Sequence, residues 1–425
     1  MTVSFAEALG VWGKIGVLSF GGPTAQIALM HRIVVDEKKW LDEAQYLSAL
    51  SFCMLLPGPE AMQLATYAGW RLHGLKGGLA AGLLFVLPGA LVVLALSMIY
   101  AAFGKVPFIE AVFFGIKAAV LVIVVEALLR IARRALKGQE HWVIAGLSFL
   151  GIFFLGLPFP LIVLIAAVYG FVRSSSSQAA SAVTWPALSA SDTVRTIAAW
   201  LVIWIAPLAA LAALFGREHV LSQLSWFFSK LAVVTFGGAY AVLAYMGQDV
   251  VENHNWLGAG QMMDGLGLAE TTPGPLILVT EFVGYLAAYN HGTGSAIGMG
   301  LLGAFVALWA TFAPCFLWIF AGAPYIEWIN AQPRLKGALQ AITAAVVGVI
   351  LNLAVWFALH VFFGTVTLTE SGPLRLWIPT LATLDWRVVV LAGISGLLLL
   401  RLHWGIPSVL GVAAGLSLAM RFAGI

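Results

Sequence analysis

The stretch Leu56-Pro57-Gly58-Pro59-Glu60-Ala61 divides two apolar runs, and its core returns 216 positions later as Pro273-Gly274-Pro275. Proline and glycine leave some backbone groups of a membrane-spanning helix without their hydrogen bonds. Such groups are tolerated only where neighbours or a water-filled cavity supply new partners. The two Pro-Gly-Pro turns therefore predict half-helices that begin near Pro59 and Pro275, rather than uninterrupted spans.

A second pair of breaks lies upstream at the same spacing. Phe20-Gly21-Gly22-Pro23 interrupts the first apolar run and returns as Phe236-Gly237-Gly238, with Ala239 in place of the proline. Further residues match at offsets of 216 and, later, 226 positions: Lys14 with Lys230, Asp36 with Glu252, Trp40 with Trp256, Gln45 with Gln261, and Pro88 with Pro314. So many rare residues in constant register indicate a tandem duplication.

The composition places both repeats in a membrane. Of the 425 residues, 61% are hydrophobic and only 10% are charged, and the mean hydropathy is +0.97. Soluble domains carry about 25% charged residues. This excludes disordered, disulfide-rich secreted and nucleic-acid-binding proteins and makes the lipid bilayer the expected surroundings. The first residues lack a basic segment, so we expect no cleaved signal peptide.

Long apolar runs without alternating polarity predict an all-α integral membrane protein. We assign residues 1–172 to the first repeat, 173–194 to a Ser/Ala-rich linker, 195–216 to a connecting helix and 217–425 to the second repeat. Lysine and arginine gather on opposite loops of the two halves, for example at Arg32 in the first and Arg334 in the second. The positive-inside rule then predicts repeats of inverted topology with broken helices.

Paired, Gly/Pro-interrupted segments in two repeats point to a transporter binding site. The first turn of each half-helix offers unpaired N–H groups and the positive end of the helix dipole, which suits a small anion. Tight helix–helix turns are the alternative interpretation. The candidate substrate-binding residues at the breaks are Gly21, Gly22, Pro23, Pro57, Gly58, Pro59, Gln63, Gly237, Gly238, Pro273, Gly274 and Pro275.

Ionisable residues inside spans add further candidates, because such residues are costly in a membrane. Lys14 and Lys230 stand at equivalent positions of the interrupted helices and could face an anion, with snorkelling to the interface as the alternative. Glu60, Glu270 and Glu281 lie near the Pro-Gly-Pro turns and are candidates for proton coupling, with helix capping as the alternative.

Together these motifs resemble the chromate transporter (CHR) family. The resemblance is carried by Phe20-Gly21-Gly22-Pro23, by Leu56-Pro57-Gly58-Pro59-Glu60-Ala61 and by their second-half counterparts, and it covers nearly the whole chain at the length of two-domain members. It implies a multi-pass protein of the bacterial inner membrane that lowers cytoplasmic chromate, a sulfate-like dianion.

We therefore expect a secondary transporter that exports chromate by alternating access and confers chromate resistance. No hydrolase or Walker A pattern, cofactor motif or metal-binding spacing occurs, so we expect neither an enzyme nor a cofactor or metal site. A permease for sulfate or another oxyanion is one alternative, and a non-transporting membrane enzyme or sensor is another. A monomer could hold a complete site, and a homodimer is an open alternative.

Overall fold

The computed structural model describes residues 3–104, 106–174, 190–236 and 239–424. Most of the expected linker, residues 175–189, therefore lies outside the described residues. In the first half of the chain the helices are α1 (Phe5–Leu18), α2 (Gly22–His31), α3 (Glu43–Leu55), α4 (Glu60–Phe103), α5 (Pro107–Ala135), α6 (Gln139–Phe153) and α7 (Phe159–Arg173).

The second half begins with α8 and repeats much of this order. Its helices are α8 (Ala190–Phe215), α9 (Val220–Val234), α10 (Ala239–Gln248), α11 (Ala259–Thr271), α12 (Val279–His291), α13 (Ala296–Gly322), α14 (Ile326–Asn330), α15 (Pro333–Phe362), α16 (Trp386–Gly396) and α17 (Ile406–Phe422). Two strands, β1 (Val366–Ser371) and β2 (Leu374–Pro379), lie between α15 and α16. Among the described residues, five helical stretches are long and apolar enough to cross a membrane. The protein is thus an α-helical, multi-pass membrane protein.

Local signals explain why helices start where they do. Asp42 and Gln45 form a capping box at the start of α3, in which the Asp42 amide donates to Gln45 Oε1 over 3.3 Å. At the start of α11 the Gly258 amide donates to Gln261 Oε1 over 3.0 Å. The repeated glutamine therefore satisfies a free helix-start amide in each half.

The chain divides into two compact units, and each repeat contributes to both. The first unit comprises residues 1–98, 171–239 and 272–337. The second unit comprises residues 99–170, 240–271 and 338–425. The repeat boundaries drawn from the sequence remain a prediction.

The first unit contains two helical hairpins of matching construction. In α4 the helix is interrupted at His73 and Gly74, so its two arms fold back and a Cβ on Gly69 would collide with the Gly77 carbonyl and Ala81. In the second repeat a Cβ on Gly284 (α12) would lie 2.5 Å from the Gly303 carbonyl oxygen (α13). Small residues therefore allow close backbone approach in both hairpins.

In the second unit, α5 packs along α17, α16 and α11. Close approach of α5 to α17 depends on Gly115, where a Cβ would collide with the Ala413 carbonyl. The Ser417 hydroxyl donates to the Ala111 carbonyl over 2.6 Å. A close backbone approach and a buried hydrogen bond thus join α5 to α17.

A β-hairpin was not predicted from the sequence. β1 and β2 pair antiparallel, with Leu368 opposite Trp377. The hairpin is held against the helices by the Arg375 amide, which donates to the Phe154 carbonyl over 2.7 Å, and by the Trp377 ring, 5.5 Å from His360. The all-α expectation therefore holds for the helical framework but omits this small sheet.

Candidate functional site

The first broken helix opens between α1 and α2. α1 ends at Leu18, and α2 begins at Gly22 with Pro23 in its first turn. Gly21 caps α2 in a left-handed conformation, with φ of +84°. The chain therefore leaves helical geometry at the glycine pair, and the carbonyl of Ser19 becomes available to a partner outside its own helix.

That partner is the second Pro-Gly-Pro turn. The Gly274 amide donates to the Ser19 carbonyl over 2.8 Å. At the equivalent place in the other repeat, the Gly58 amide donates to the Thr235 carbonyl over 2.9 Å. Both pairs are related by the same offset of 216 positions, so each turn is bonded to the broken helix of the other repeat. Such reciprocal contact is what a two-fold relation between the repeats produces.

A second reciprocal contact supports the first. A Cβ on Gly89 in α4 would collide with the Pro273 carbonyl. The residue at the 226 offset, Cys315 in α13, places its Sγ atom 3.0 Å from a Cβ built on Gly58. Each turn is therefore packed against the proline-containing helix of the opposite repeat, directly after Pro88 or Pro314.

Gln26 makes the contacts of the two Pro-Gly-Pro turns unequal. Its Nε2 atom donates to the Gly274 carbonyl over 2.6 Å and to the Ser19 carbonyl over 3.2 Å, and its side chain is only 1% exposed. The residue at the matching position of the second repeat is Val242, whose side chain has no hydrogen-bond donor. The turn of Pro273-Gly274-Pro275 is consequently held by a backbone hydrogen bond to Ser19 and by a side-chain hydrogen bond from Gln26, which is itself bonded to the Ser19 carbonyl.

Gln63 supports the other turn from its own repeat. Its Nε2 atom donates to the Pro57 carbonyl over 2.6 Å, and its side chain is fully buried. Within the described part of the chain, Oε1 of Gln63 and Oε1 of Gln26 have no hydrogen-bond partner. Gln63, which the sequence predicts as a substrate-binding residue, therefore lies against the first Pro-Gly-Pro turn.

The helix starts that follow the two turns differ. α4 begins at Glu60, directly after Pro59, and the first amide to bond back is that of Gln63, which donates to the Pro59 carbonyl. In the second repeat, Leu276–Leu278 form a 3-10 turn closed by the Leu278 amide on the Pro275 carbonyl, and α12 starts only at Val279. The α-helical start expected near Pro275 is therefore displaced by one tight turn.

The remaining candidates are placed in different surroundings. Lys14 and Lys230 are exposed on α1 and α9. Glu60 is half-buried at the start of α4, whereas Glu281 is buried in α12 and its Oε2 atom has no hydrogen-bond partner among the described residues. Gly237 and Gly238 lie outside the described residues.

Glu270 belongs to the second unit. It is buried in α11 and accepts a hydrogen bond from the Tyr240 hydroxyl over 2.7 Å. Over the described ranges, no cluster of three or more histidine, cysteine or acidic side chains could hold a metal ion.

Sequence reasoning missed Ser19, Gln26 and Thr235. The contacts of these residues join segments more than 170 positions apart, so no local pattern marks them. One signal was available, because Ser19 and Thr235 are both hydroxyl residues directly before a Phe-Gly-Gly motif at the common offset.

We expect Gln26→Leu to loosen the second turn. The change leaves the Gly274 carbonyl buried without its donor, which costs about 1 to 3 kcal/mol. The melting temperature in detergent and the transport rate should both fall. Gln332→Leu is the matched control, because Gln332 donates to the Trp328 carbonyl in the same unit but away from the turns. Equal behaviour of the two variants would contradict a special role for Gln26.

A duplicated α-helical membrane protein with paired helix breaks belongs to the transporter class of integral membrane proteins. The family model described as Chromate transporter matches residues 6–171 and 222–419. The chain therefore belongs to the chromate transporter family.

Named relatives agree with the family. A chromate transport protein of Pseudomonas aeruginosa is 33% identical over 356 residues, covering 82% of this chain and 80% of the relative. A chromate transport protein of Cupriavidus metallidurans is 31% identical over 356 residues, covering 81% and 80%. A probable chromate transport protein of Synechococcus elongatus is 29% identical over 400 residues, covering 91% and 93%. No solved structure matches the chain significantly.

Proposed function

We propose that this chain is a secondary transporter that moves chromate out of the cytoplasm by alternating access. The family and the names of the relatives support chromate as substrate. The observation that carries the mechanism is the reciprocal bonding of Gly58 to Thr235 and of Gly274 to Ser19. Because each turn depends on the other repeat, a shift of one repeat against the other would change both turns together.

The oxyanion would bind at the helix starts that follow the turns. Amides in the first turn of a helix lack intrahelical acceptors and carry the positive end of the dipole. In α4 these are the amides of Glu60, Ala61 and Met62, because the Gln63 amide is the first to bond back. The open break at Gly21–Pro23 would line the same path, and its counterpart Gly237–Gly238 lies outside the described residues.

Inverted repeats would explain how such a site opens to either side. The opposite placement of Lys and Arg in the two halves supports inversion, and the reciprocal contacts support a two-fold relation. A membrane potential of 100 mV changes the free energy of one charge by about 2.3 kcal/mol, so a dianion leaving a negative-inside cell gains about twice that. Export driven by the potential alone is therefore feasible.

Glu60, Glu281 and Glu270 are proposed as sites where a proton could couple to transport. Glu281 is the best placed of the two in the first unit, because it is buried and one of its oxygens lacks a hydrogen-bond partner among the described residues. Counted from the matched hairpin glycines Gly69 and Gly284, the position of Glu281 corresponds to Thr66, whose hydroxyl donates to the Met62 carbonyl. The carboxyl group is thus an addition of the second repeat.

We further propose location in the bacterial inner membrane, a role in chromate resistance, and no enzymatic activity. A monomer contains both turns and both broken helices, so one chain would suffice for a complete site. A homodimer would then consist of two independent sites.

We expect Lys14→Gln combined with Lys230→Gln to abolish chromate transport while leaving membrane insertion intact. A hydrogen bond to a charged group contributes about 1.5 to 3 kcal/mol, so loss of two cations should slow transport at least about tenfold. The measurement is labelled-chromate flux into vesicles, normalised to inserted protein. Wild-type rates in the double variant would remove the lysines from the mechanism and assign them to the membrane interface.

The same vesicles test the substrate. Excess sulfate should reduce chromate flux by competition if the site recognises tetrahedral dianions by shape and charge. Sulfate flux that exceeds chromate flux would instead favour an oxyanion permease. Absence of any anion flux would contradict a transporter and favour a sensor or membrane enzyme.

A further inference from the structure

The second unit contains a row of charged side chains on α5 and α11, half-buried on α5 and buried on α11. α5 contributes Lys117, Glu126 and Arg130, and α11 contributes Asp264 and Glu270. The row therefore has three carboxyl groups and two cations, so one carboxyl group is in excess.

Direct contacts identify the excess group. Lys117 Nζ lies 3.4 Å from Asp264 Oδ2, and the Tyr100 hydroxyl donates to the same oxygen over 2.7 Å. The Arg130 guanidinium holds Glu126 through two nitrogens, with Nε 3.1 Å from Oε1. Both cations are thus engaged with other carboxylates, and Glu270 has no ion pair within the described part of the chain.

The surroundings of Glu270 supply no free counter-charge, because Arg130, the cation that acts on it electrostatically, is held by Glu126. The side chain is 6% exposed, its one hydrogen bond comes from the Tyr240 hydroxyl of α10, and Oε2 has no partner among the described residues. α17 also packs on α11, but its one titratable side chain, Arg421, lines a cavity together with Glu110, near the start of α5. An isolated buried carboxylate is strongly unfavourable, and a bound proton removes the charge.

We propose that Glu270 is a proton-binding site and that Arg130 is the ion that responds to it. With Glu270 protonated, Arg130 pairs with Glu126, as in this structure. When the proton leaves, Glu270 becomes a second carboxylate beside Arg130, and the guanidinium is drawn from Glu126 towards it. The switch would couple proton movement to transport, and this last step rests on the proposed function.

The duplication does not create a second such site. At the repeat offsets, Glu126 and Arg130 correspond to Asn352 and Trp356, and Glu270 corresponds to Met54. Buried Asn352 donates instead to Gln248 over 3.1 Å, without a charge. The set of Glu126, Arg130 and Glu270 therefore has no counterpart at the repeat offsets.

Infrared spectroscopy of the purified full chain in lipid vesicles tests the proton site without any substrate. We expect the protonated-carboxyl band to contain a component that titrates with pH and is lost in Glu270→Gln, whose amide mimics the protonated side chain and should preserve the fold. A band that persists unchanged in Glu270→Gln, or its absence from the wild type across the titration, would overturn the proton site.

Variants of the pair test the switch. Glu126→Gln frees Arg130 and removes a like charge, so the midpoint of the Glu270 band should fall by about 1 to 3 pH units. Arg130→Met should raise the midpoint of the Glu270 band, whereas Arg130→Lys, which keeps the positive charge, should leave the midpoint close to that of the wild type. Glu110→Gln removes an exposed carboxylate from the other end of α5 and should leave the midpoint unchanged. An unshifted midpoint in Glu126→Gln would overturn the switch.

A vesicle assay with chromate and a pH-sensitive dye separates this inference from the proposed function. We expect proton flux to accompany chromate flux in the wild type and to be lost in Glu270→Gln. Chromate flux without proton flux in the wild type would reject coupling while the transporter assignment stands. A titrating band without chromate flux would reject the proposed function while the proton site stands.

Discussion

Replacing both turn glycines, Gly58→Ala with Gly274→Ala, is expected to abolish chromate transport. Gly58 has φ of +115° and Gly274 has φ of +88°, which side chains with a Cβ rarely adopt, at a cost of roughly 1–2 kcal/mol per residue. A Cβ on Gly58 would also lie 2.9 Å from Gln63 Nε2 and 3.0 Å from Cys315 Sγ. The strain falls on the Gly58 and Gly274 amides, which donate to the Thr235 and Ser19 carbonyls of the opposite repeat. Both of these hydrogen bonds should therefore be lost together.

Chromate flux in vesicles measures this effect, and Gly294→Ala is its control. Gly294 has φ of +99° in the loop between α12 and α13, with open space around it. An alanine at this position would therefore carry comparable backbone strain in the same unit but outside the two turns. Transport should survive in this control, and equal loss in both proteins would show that strain alone is responsible.

The second large effect is expected for Gly89→Ala. The added Cβ would collide with the Pro273 carbonyl, and backbone cannot move aside as a flexible side chain can. Overpacking of this kind costs about 1 to 3 kcal/mol, so both the melting temperature in detergent and the transport rate should fall.

Gly13→Ala provides the comparison for Gly89→Ala. Gly13 lies inside α1 in the same unit, and a Cβ there meets nothing within 4 Å. Alanine also favours helix over glycine, so this variant should be neutral or slightly stabilising. Similar stability of both variants would contradict the close packing of α4 on the second turn.

The breaks could be predicted because they depend on residue types with strong backbone preferences. Gly21 and the two Pro-Gly-Pro turns mark the places where the structure leaves helical geometry. The fold-back of α4 was also indicated, since the apolar runs 60–72 and 76–103 are separate in the sequence, and the structure interrupts the helix at His73 and Gly74.

The hairpin of β1 and β2 was not predicted for a physical reason. Two short strands in a chain of apolar helices give little periodic signal, and an isolated hairpin is marginally stable. The hairpin exists because Arg375 bonds to the Phe154 carbonyl and Trp377 packs on His360. Those are tertiary contacts, which no local pattern contains.

The candidate site was predicted only in part, for the same reason. The offset of 216 positions identifies equivalent residues but not which of them touch. The partners Ser19 and Thr235, and the donor Gln26, lie in the opposite repeat or in a different helix from the turns that they hold.

The most direct test of the central claim is labelled-chromate accumulation in a chromate-sensitive bacterium. Cells would express the wild-type chain, the Gly58→Ala, Gly274→Ala double variant, or the Gly294→Ala control at equal levels. Our account predicts lower chromate in cells with the wild type and the control than in cells with the double variant. Chromate in wild-type cells that is equal to or higher than in cells with the double variant would contradict export through the paired turns.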